Sequence, residues 1–354
     1  MGISQGIYRY VSRRVSRRVS RHRRLTEKPT LNPANNSGFT LTEILVSMII
    51  AGLVMSGLLG LMVELLTSDA RETARTETQR EMQMALDYIS SDIRESVHVY
   101  DGNCIDGTTE SCEGFVDAIS RDNSVPVLAF WKLEDLPKSV VEESCSSNEY
   151  DPNNTAVPCL SGRSYSLIVY YLTRNEDNDE IWSGLGRLQR ARLATFTNQG
   201  GPNFTPPYAG AREDQDPLTF RTWQPDSMDS FQVTTLVDFV DSRPLDEIAE
   251  RQGTASASVE CPDGHVITPS DNTLEANGFG EVRNFYACIR DDSILADADD
   301  DNATAQTFNQ KVILFLRGNA AGKPGIRDAN IGFMPAIQTQ VLNRSVREKT
   351  PRSF

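Results

Sequence analysis

The sequence predicts an α+β chain: one long N-terminal helix, membrane-spanning in its first half, packed on an antiparallel sheet. Three observations predict it. An apolar run covers residues 44–63, an amphipathic pattern continues it without a break, and β-branched and aromatic runs separated by polar turns fill the remainder.

The apolar run reads ILVSMIIAGLVMSGLLGLMV from Ile44 to Val63, with Ser47 and Ser56 its only polar residues. At about 1.5 Å per residue it crosses a hydrocarbon core of about 30 Å. It is longer than the apolar region of a secretory signal peptide, and no clear small-x-small cleavage site follows it. The helix is therefore expected to stay in the processed protein.

Beyond Val63 the pattern turns amphipathic. Met82, Ala85, Leu86, Ile89, Ile93 and Val97 recur at steps of three and four, the spacing of one helix face. Arg71, Arg75, Glu77, Arg80, Glu81, Asp87, Asp92 and Arg94 mostly take the other positions. No proline interrupts residues 34–125. One helix from about Phe39 to about Val97 is expected, on the order of 90 Å long. A coiled coil fits less well, because the heptads are short-lived and Thr67–Thr78 is rich in Thr and Ala.

Six runs then read as strands: 125–133, 165–174, 186–193, 231–240, 282–290 and 310–318. The acidic NEDNDE segment, 175–180, is expected to tip a hairpin between the second and third of them. The expected organisation is a basic leader at 1–38, a transmembrane helix at 39–66 and its amphipathic continuation at 67–100. A single β-rich domain follows at 101–341, and a tail at 342–354.

Charge gives the orientation. Eight arginines and Lys28 against Glu27 make residues 1–38 net +8, so with the whole chain at −14 the other residues carry −22. A basic flank beside an apolar run reads as the cytoplasmic side of a membrane helix. An acidic body offers no surface for phosphates, so no nucleic-acid partner is expected. The six cysteines, Cys104, Cys112, Cys145, Cys159, Cys261 and Cys288, all follow the apolar run, and none has CxxC spacing. In an exported body an even count suits disulfides; six reduced thiols are the alternative. Pairing of neighbours in sequence is the expectation, although six cysteines leave many connectivities open.

No catalytic constellation is visible. The histidines, His22, His98 and His265, are scattered, and His22 lies in the leader. Asp297, Asp299 and Asp301 resemble the start of a calcium loop, but Asn302 stands where a glycine belongs and the late Glu is missing. A solvated acidic loop is the expected reading, with no cofactor.

Just before the apolar run stands Glu43, an acid at the edge of a spanning helix. It is either an interfacial carboxylate that reaches water or the partner of a charge within the membrane. The stretch SGFTLTEILVSMIIAG, 37–52, resembles the class III signal of type IV prepilins and type II secretion pseudopilins. Gly38 matches the residue before the cut, Phe39 the first residue after it, which the family N-methylates, and Glu43 the acid at the fifth processed position. The leader is longer than is common, Thr42 replaces the usual aliphatic residue, and the late proline of many major pilins is missing, with Gly52, Gly57 and Gly60 present instead.

The resemblance implies a prepilin peptidase that cuts and methylates on the cytoplasmic side. It also implies pairing of Glu43 with the Phe39 amine of a neighbouring subunit, and a filament of pilins or pseudopilins drawn from the inner membrane with the body outside the cytoplasm. The hairpin YYLTRNEDNDEIWSGLGRLQR and LVDFVDS, 236–242, resemble J-type pseudopilins and W-type minor pilins. With QREMQMALDYISSDIRESVHVYD, 79–101, the pattern is similar to pseudopilins of cyanobacterial hormogonium polysaccharide secretion. A structural filament subunit is the expected function. The competing expectations are a filament-displayed adhesin or polymer-binding tip and, more remotely, a secreted enzyme on a pilin anchor.

Overall fold

The computed structural model describes residues 38–109, 112, 114–145, 159, 161–176, 179–194, 196, 220, 231–252, 259–290 and 307–346. It divides into two units, residues 1–59 and 60–354. Helix α1 (Leu41–Arg94) has 54 residues, and its turns up to Leu59 belong to the first unit. There every described side chain is exposed, the apolar ones included.

In the second unit, α1 buries Ala74, Thr78, Met82, Ala85, Leu86, Ile89 and Ile93. Their three- and four-residue steps make one face, as the sequence pattern requires. Nine strands follow: β1 (Ser96–Tyr100), β2 (Ser124–Asp135), β3 (Arg163–Arg174), β4 (Gly186–Ala194), β5 (Gln232–Val240), β6 (His265–Thr268), β7 (Phe285–Arg290), β8 (Thr307–Leu316) and β9 (Ile337–Val346). The first five form one sheet in chain order and the last four another, with every neighbouring pair antiparallel.

The long helix and antiparallel strands give the expected α+β class, with two sheets where one was expected. Both contribute to the core on α1: Leu128, Phe130, Ile168 and Leu172 from the first, Phe285, Val312 and Leu314 from the second. The opposite face of the first sheet is covered as well, where Trp131, Tyr165, Leu167 and Tyr171 pack with Tyr100, Phe115 and Ile119. That explains why β2 and β3 read as nearly unbroken apolar runs, since strands buried on both faces do not alternate.

Hydrogen bonds join the sheets at several places among the described residues, including Thr268 Oγ1 to the Val127 carbonyl at 2.8 Å and two seams. Gln310 Nε2 donates to the Val99 carbonyl at 2.9 Å and Asn343 Nδ2 to Ser96 Oγ at 2.8 Å. At the other seam, Asn319 N–H donates to the Phe239 carbonyl at 2.8 Å and Asp241 N–H to the Arg317 carbonyl at 3.0 Å. The second seam brings backbone against α1: a Cβ built on Gly318 would stand 3.0 Å from Met82 Cγ and 3.1 Å from Thr78 Cγ2. Glycine fits this approach because it has no side chain.

Several expected boundaries move. The helix ends at Arg94, not Val97; Val97 lies half-buried in β1, whose pairing with β2 claims Ser96–Tyr100. Residues 342–346, expected in a tail, complete β9 by pairing with 307–311 of β8. Strands β1, β6 and β9 were not among the six expected.

Candidate processing and assembly site

Gly38, Phe39 and Thr40 precede the helix and are exposed, Phe39 by 78%. Thr40 ends the non-helical stretch. Its carbonyl accepts the N–H groups of Glu43 at 3.1 Å and Ile44 at 3.2 Å, and its Oγ1 stands 3.4 Å from Glu43 N. Thr40 is thus the N-cap and Glu43 the third helical residue, the T-x-x-E spacing of a capping box. That signal was present in the sequence and went unused. Glu43 lies in the first turn, where the positive end of the helix dipole favours a carboxylate. Among the described residues, nothing pairs with that carboxylate.

Further along, the serines and the glycines of the apolar stretch behave differently. Ser47 Oγ donates to the Glu43 carbonyl at 2.7 Å, so its hydroxyl is satisfied inside the helix. The glycines have no such internal role: a Cβ at Gly52 or Gly57 would meet nothing within 4 Å. Gly52 and Ser56 stand four apart on one face, the small-x-x-x-small spacing that lets helices approach closely in a membrane.

A second set of residues fixes α1 to the body. Asp92 has a side chain only 6% exposed; Lys132 Nζ lies 2.7 Å from its Oδ1, and Arg190 Nε and Tyr170 OH each lie 2.7 Å from its Oδ2. Burial alone would raise the Asp92 pKa, but the hydrogen bonds from Lys132, Tyr170 and Arg190 outweigh it and hold the carboxyl below its ordinary range. Tyr170 is pushed the other way, by burial first and then by the Asp92 charge.

About three to four turns earlier on α1, Lys323, whose side chain is 7% exposed, reaches Glu81 at 3.0 Å and Glu77 at 3.3 Å. Arg71 Nε donates to the Gly325 carbonyl at 3.1 Å and Arg75 Nη2 to the Ile331 carbonyl at 2.5 Å. The sequence placed these charges on a face away from the apolar stripe. The connection between β8 and β9 packs Ala320 and Ile326 on Ala74 of the buried stripe and uses the charges beside it.

The hairpin between β3 and β4 is held from β5. Asp238 Oδ2 accepts the N–H groups of Ser183 and Gly184 at 3.0 Å each, and its Oδ1 accepts Asn175 Nδ2 at 2.8 Å. Asp179 Oδ1 caps the turn itself by accepting Ile181 and Trp182 N–H. Of the described acids of NEDNDE, Asp179 thus serves the loop's own backbone, while Glu176 accepts Asn123 Nδ2. Asp238 was visible in the sequence only as part of LVDFVDS, with no role attached.

All six cysteines are joined as neighbours in sequence: Cys104–Cys112, Cys145–Cys159 and Cys261–Cys288, with Cα separations of 5.0, 5.5 and 5.6 Å. His98 is buried, stacked on Phe220 at 5.6 Å between ring centres, and His265 lies in β6 beside the Asp263 carbonyl. Asp297, Asp299, Asp301 and His22 lie outside the described residues. Among the described residues no group of three or more His, Cys, Asp or Glu is placed to hold a metal ion. A groove of about 740 Å³ is lined by Glu95, Lys132, Glu134, Asp135, Arg163 and Arg192. Its charges are spent on one another: Arg192 pairs with Glu134 at 2.6 Å, Arg163 with Asp135 at 3.1 Å and Lys132 with Glu95 at 2.9 Å.

Comparison with known families matches residues 33–59 to the prokaryotic N-terminal methylation motif. The match contains Gly38, Phe39, Thr40 and Glu43 and the first turns of α1. Comparisons with curated proteins and with solved structures find no match.

Proposed function

We propose that this chain is a pilin- or pseudopilin-like structural subunit of a filament assembled from the inner membrane, a minor subunit that helps start or cap it. The observation that carries the proposal is the conjunction at the N-terminus. A methylation motif covers 33–59, and within it the apolar turns of α1 are exposed on every side. A helix apolar all round needs lipid or other helices about it.

The chemistry follows in order. The basic residues before Gly38 stay in the cytoplasm and set a single-pass orientation with the body outside. A prepilin peptidase cuts between Gly38 and Phe39 and methylates the new Phe39 amine. The helix leaves lipid for a bundle of like helices, where the unpartnered carboxylate of Glu43 receives a neighbour's Phe39 amine. A charge pair in such a bundle is costly unless its geometry is good, so a misplaced subunit is penalised and the pair sets the register. The three disulfides suit folding in an oxidising compartment. In this reading the body is structural and the chain is not an enzyme. Service in a type II secretion-like or polysaccharide-exporting machine rests on the resemblance of 79–101, 170–190 and 236–242 alone.

Glu43→Ala tests the assembly step. Membrane insertion should be intact or slightly favoured, since a charge costly in lipid is gone. Immunoblots of membrane and sheared-surface fractions should show the variant retained in the first and depleted from the second. Equal amounts of variant and wild type in both fractions would reduce Glu43 to an interfacial carboxylate and overturn the pairing mechanism.

A further inference from the structure

We propose that Thr40 is a positioning residue for processing: by capping α1 it keeps the Gly38–Phe39 peptide bond out of the helix, in the form a peptidase can bind. This rests on the reading of Gly38–Phe39 as the cleaved bond. A peptidase must grasp the backbone about the bond it cuts, and a helix withholds that backbone because its N–H and C=O groups are bonded internally. The structure stops the helix just short of that condition. Gly38, Phe39 and Thr40 are non-helical, the first residue of α1 is Leu41, and the cleaved bond lies one residue before the cap.

The atoms that hold this boundary can be named. Helical bonds run from an N–H to the carbonyl four residues back. Extending α1 backward would first give Glu43 N–H to the Phe39 carbonyl and then Thr42 N–H to the Gly38 carbonyl, which is the carbonyl of the cleaved bond. The first of these is pre-empted. Glu43 N–H is directed at Thr40, 3.1 Å from its carbonyl oxygen and 3.4 Å from its Oγ1. Thr42 Oγ1 lies 3.2 Å from Thr40 Oγ1, which gives the capping hydroxyl a second polar neighbour. The pressure against the boundary is real, because the residues after it form 54 residues of continuous helix and a formed helix propagates far more readily than it nucleates. Thr42, where the resembling family usually has an aliphatic residue, thereby gains a use.

The test uses the full chain in membrane vesicles with its cognate prepilin peptidase. Thr40→Val keeps the shape and removes the hydroxyl; Thr40→Ser restores it. Cleavage is followed at several peptidase concentrations to separate binding from turnover, and amide hydrogen exchange at Thr42 is read by NMR of threonine-labelled chain in micelles. The expected result is a roughly 3- to 10-fold lower kcat/KM for Thr40→Val, in keeping with the size of N-cap effects. Exchange at Thr42 should be slowed in that variant, and both changes should be reversed in Thr40→Ser. Wild-type cleavage of Thr40→Val overturns the proposal, as does slow cleavage with unchanged Thr42 exchange, which would mean that the peptidase reads the hydroxyl directly. If the unaltered chain is not cut after Gly38, the processing reading itself fails and takes this proposal with it; a cut wild type with an unaffected Thr40→Val defeats this proposal alone.

Discussion

Replacing Asp92 by alanine removes the one carboxylate that ties the last turns of α1 to three strand residues. The cost can be worked from its partners. Lys132 and Arg190 are 15% and 11% exposed in their side chains, so neither regains full hydration when the carboxylate goes. Breaking one side of a buried pair costs about 3–5 kcal/mol. Lys132 keeps Glu95 at 2.9 Å, although Glu95 is largely exposed and offsets little. Arg190 keeps the ring of Tyr88 at 6.0 Å and the more distant charge of Glu134. The loss for Asp92→Ala should therefore fall near the lower end, about 3 kcal/mol, a large part of the 5–15 kcal/mol typical of a domain.

Asp92→Asn keeps the acceptor oxygen and should cost less. Urea titration of the full chain in detergent, read by near-ultraviolet circular dichroism, measures both. The pH dependence gives an independent check. The folded-state pKa of Asp92 is lowered, so its contribution is fully present above the ordinary value of 3.8 and is lost as pH falls through the lower folded value. The stability gap between wild type and Asp92→Asn should be constant near neutrality and shrink below about pH 4. A loss under about 0.5 kcal/mol for Asp92→Ala, the size of an ordinary surface change, would refute the reasoning. So would a gap that stays unchanged down to pH 3.

Other perturbations probe other parts of the account. Mass spectrometry of unreduced exported protein should recover the linked pairs Cys104–Cys112, Cys145–Cys159 and Cys261–Cys288; six alkylatable thiols would contradict the oxidising location. Replacing both members of the Cys261–Cys288 pair by alanine should cost about 2–4 kcal/mol in the same urea assay. Lys323→Met should destabilise the β8–β9 connection, because Glu77 and Glu81 lose their shared cation and the Phe239 ring, 4.8 Å from Nζ, loses its cation contact. Faster proteolysis within 317–333 is the expected sign, and a cleavage pattern identical to wild type would contradict a stabilising role for Lys323.

What the sequence made legible was local. The first half of α1 could be read because twenty residues of nearly pure hydrocarbon admit few alternatives. Strands β2 and β3 are legible to within two residues because both their faces are buried, which leaves strong aromatic and β-branched runs. β1 was hidden by coincidence: Val97 falls four residues after Ile93, in step with the helix face, and only pairing with β2 turns it into strand. β9 reads IQTQVLNRSV, a polar alternation that becomes a strand by lying along the whole of β8. At the proposed processing site Gly38, Phe39 and Glu43 are legible from a motif, whereas the T-x-x-E spacing marks Thr40 as a cap only once the helix is seen to begin at Leu41. Asp92 looked like one more surface charge on α1. Its partners lie 40, 78 and 98 residues away, and no local pattern could have joined them.

The central claim, that this chain is processed at its N-terminus and built into a filament, is tested most directly by the identity of that N-terminus in filaments. Sheared surface or periplasmic filaments from cells with an active prepilin peptidase would be collected, and the chain within them sequenced from its N-terminus with mass measurement. The account predicts a chain that starts at N-methylated Phe39, and a Gly38→Ala variant that is cut slowly and accumulates unprocessed in the membrane. Recovery of the chain with Met1 intact, or its complete absence from the filament fraction while processed pilins are present there, would contradict the account.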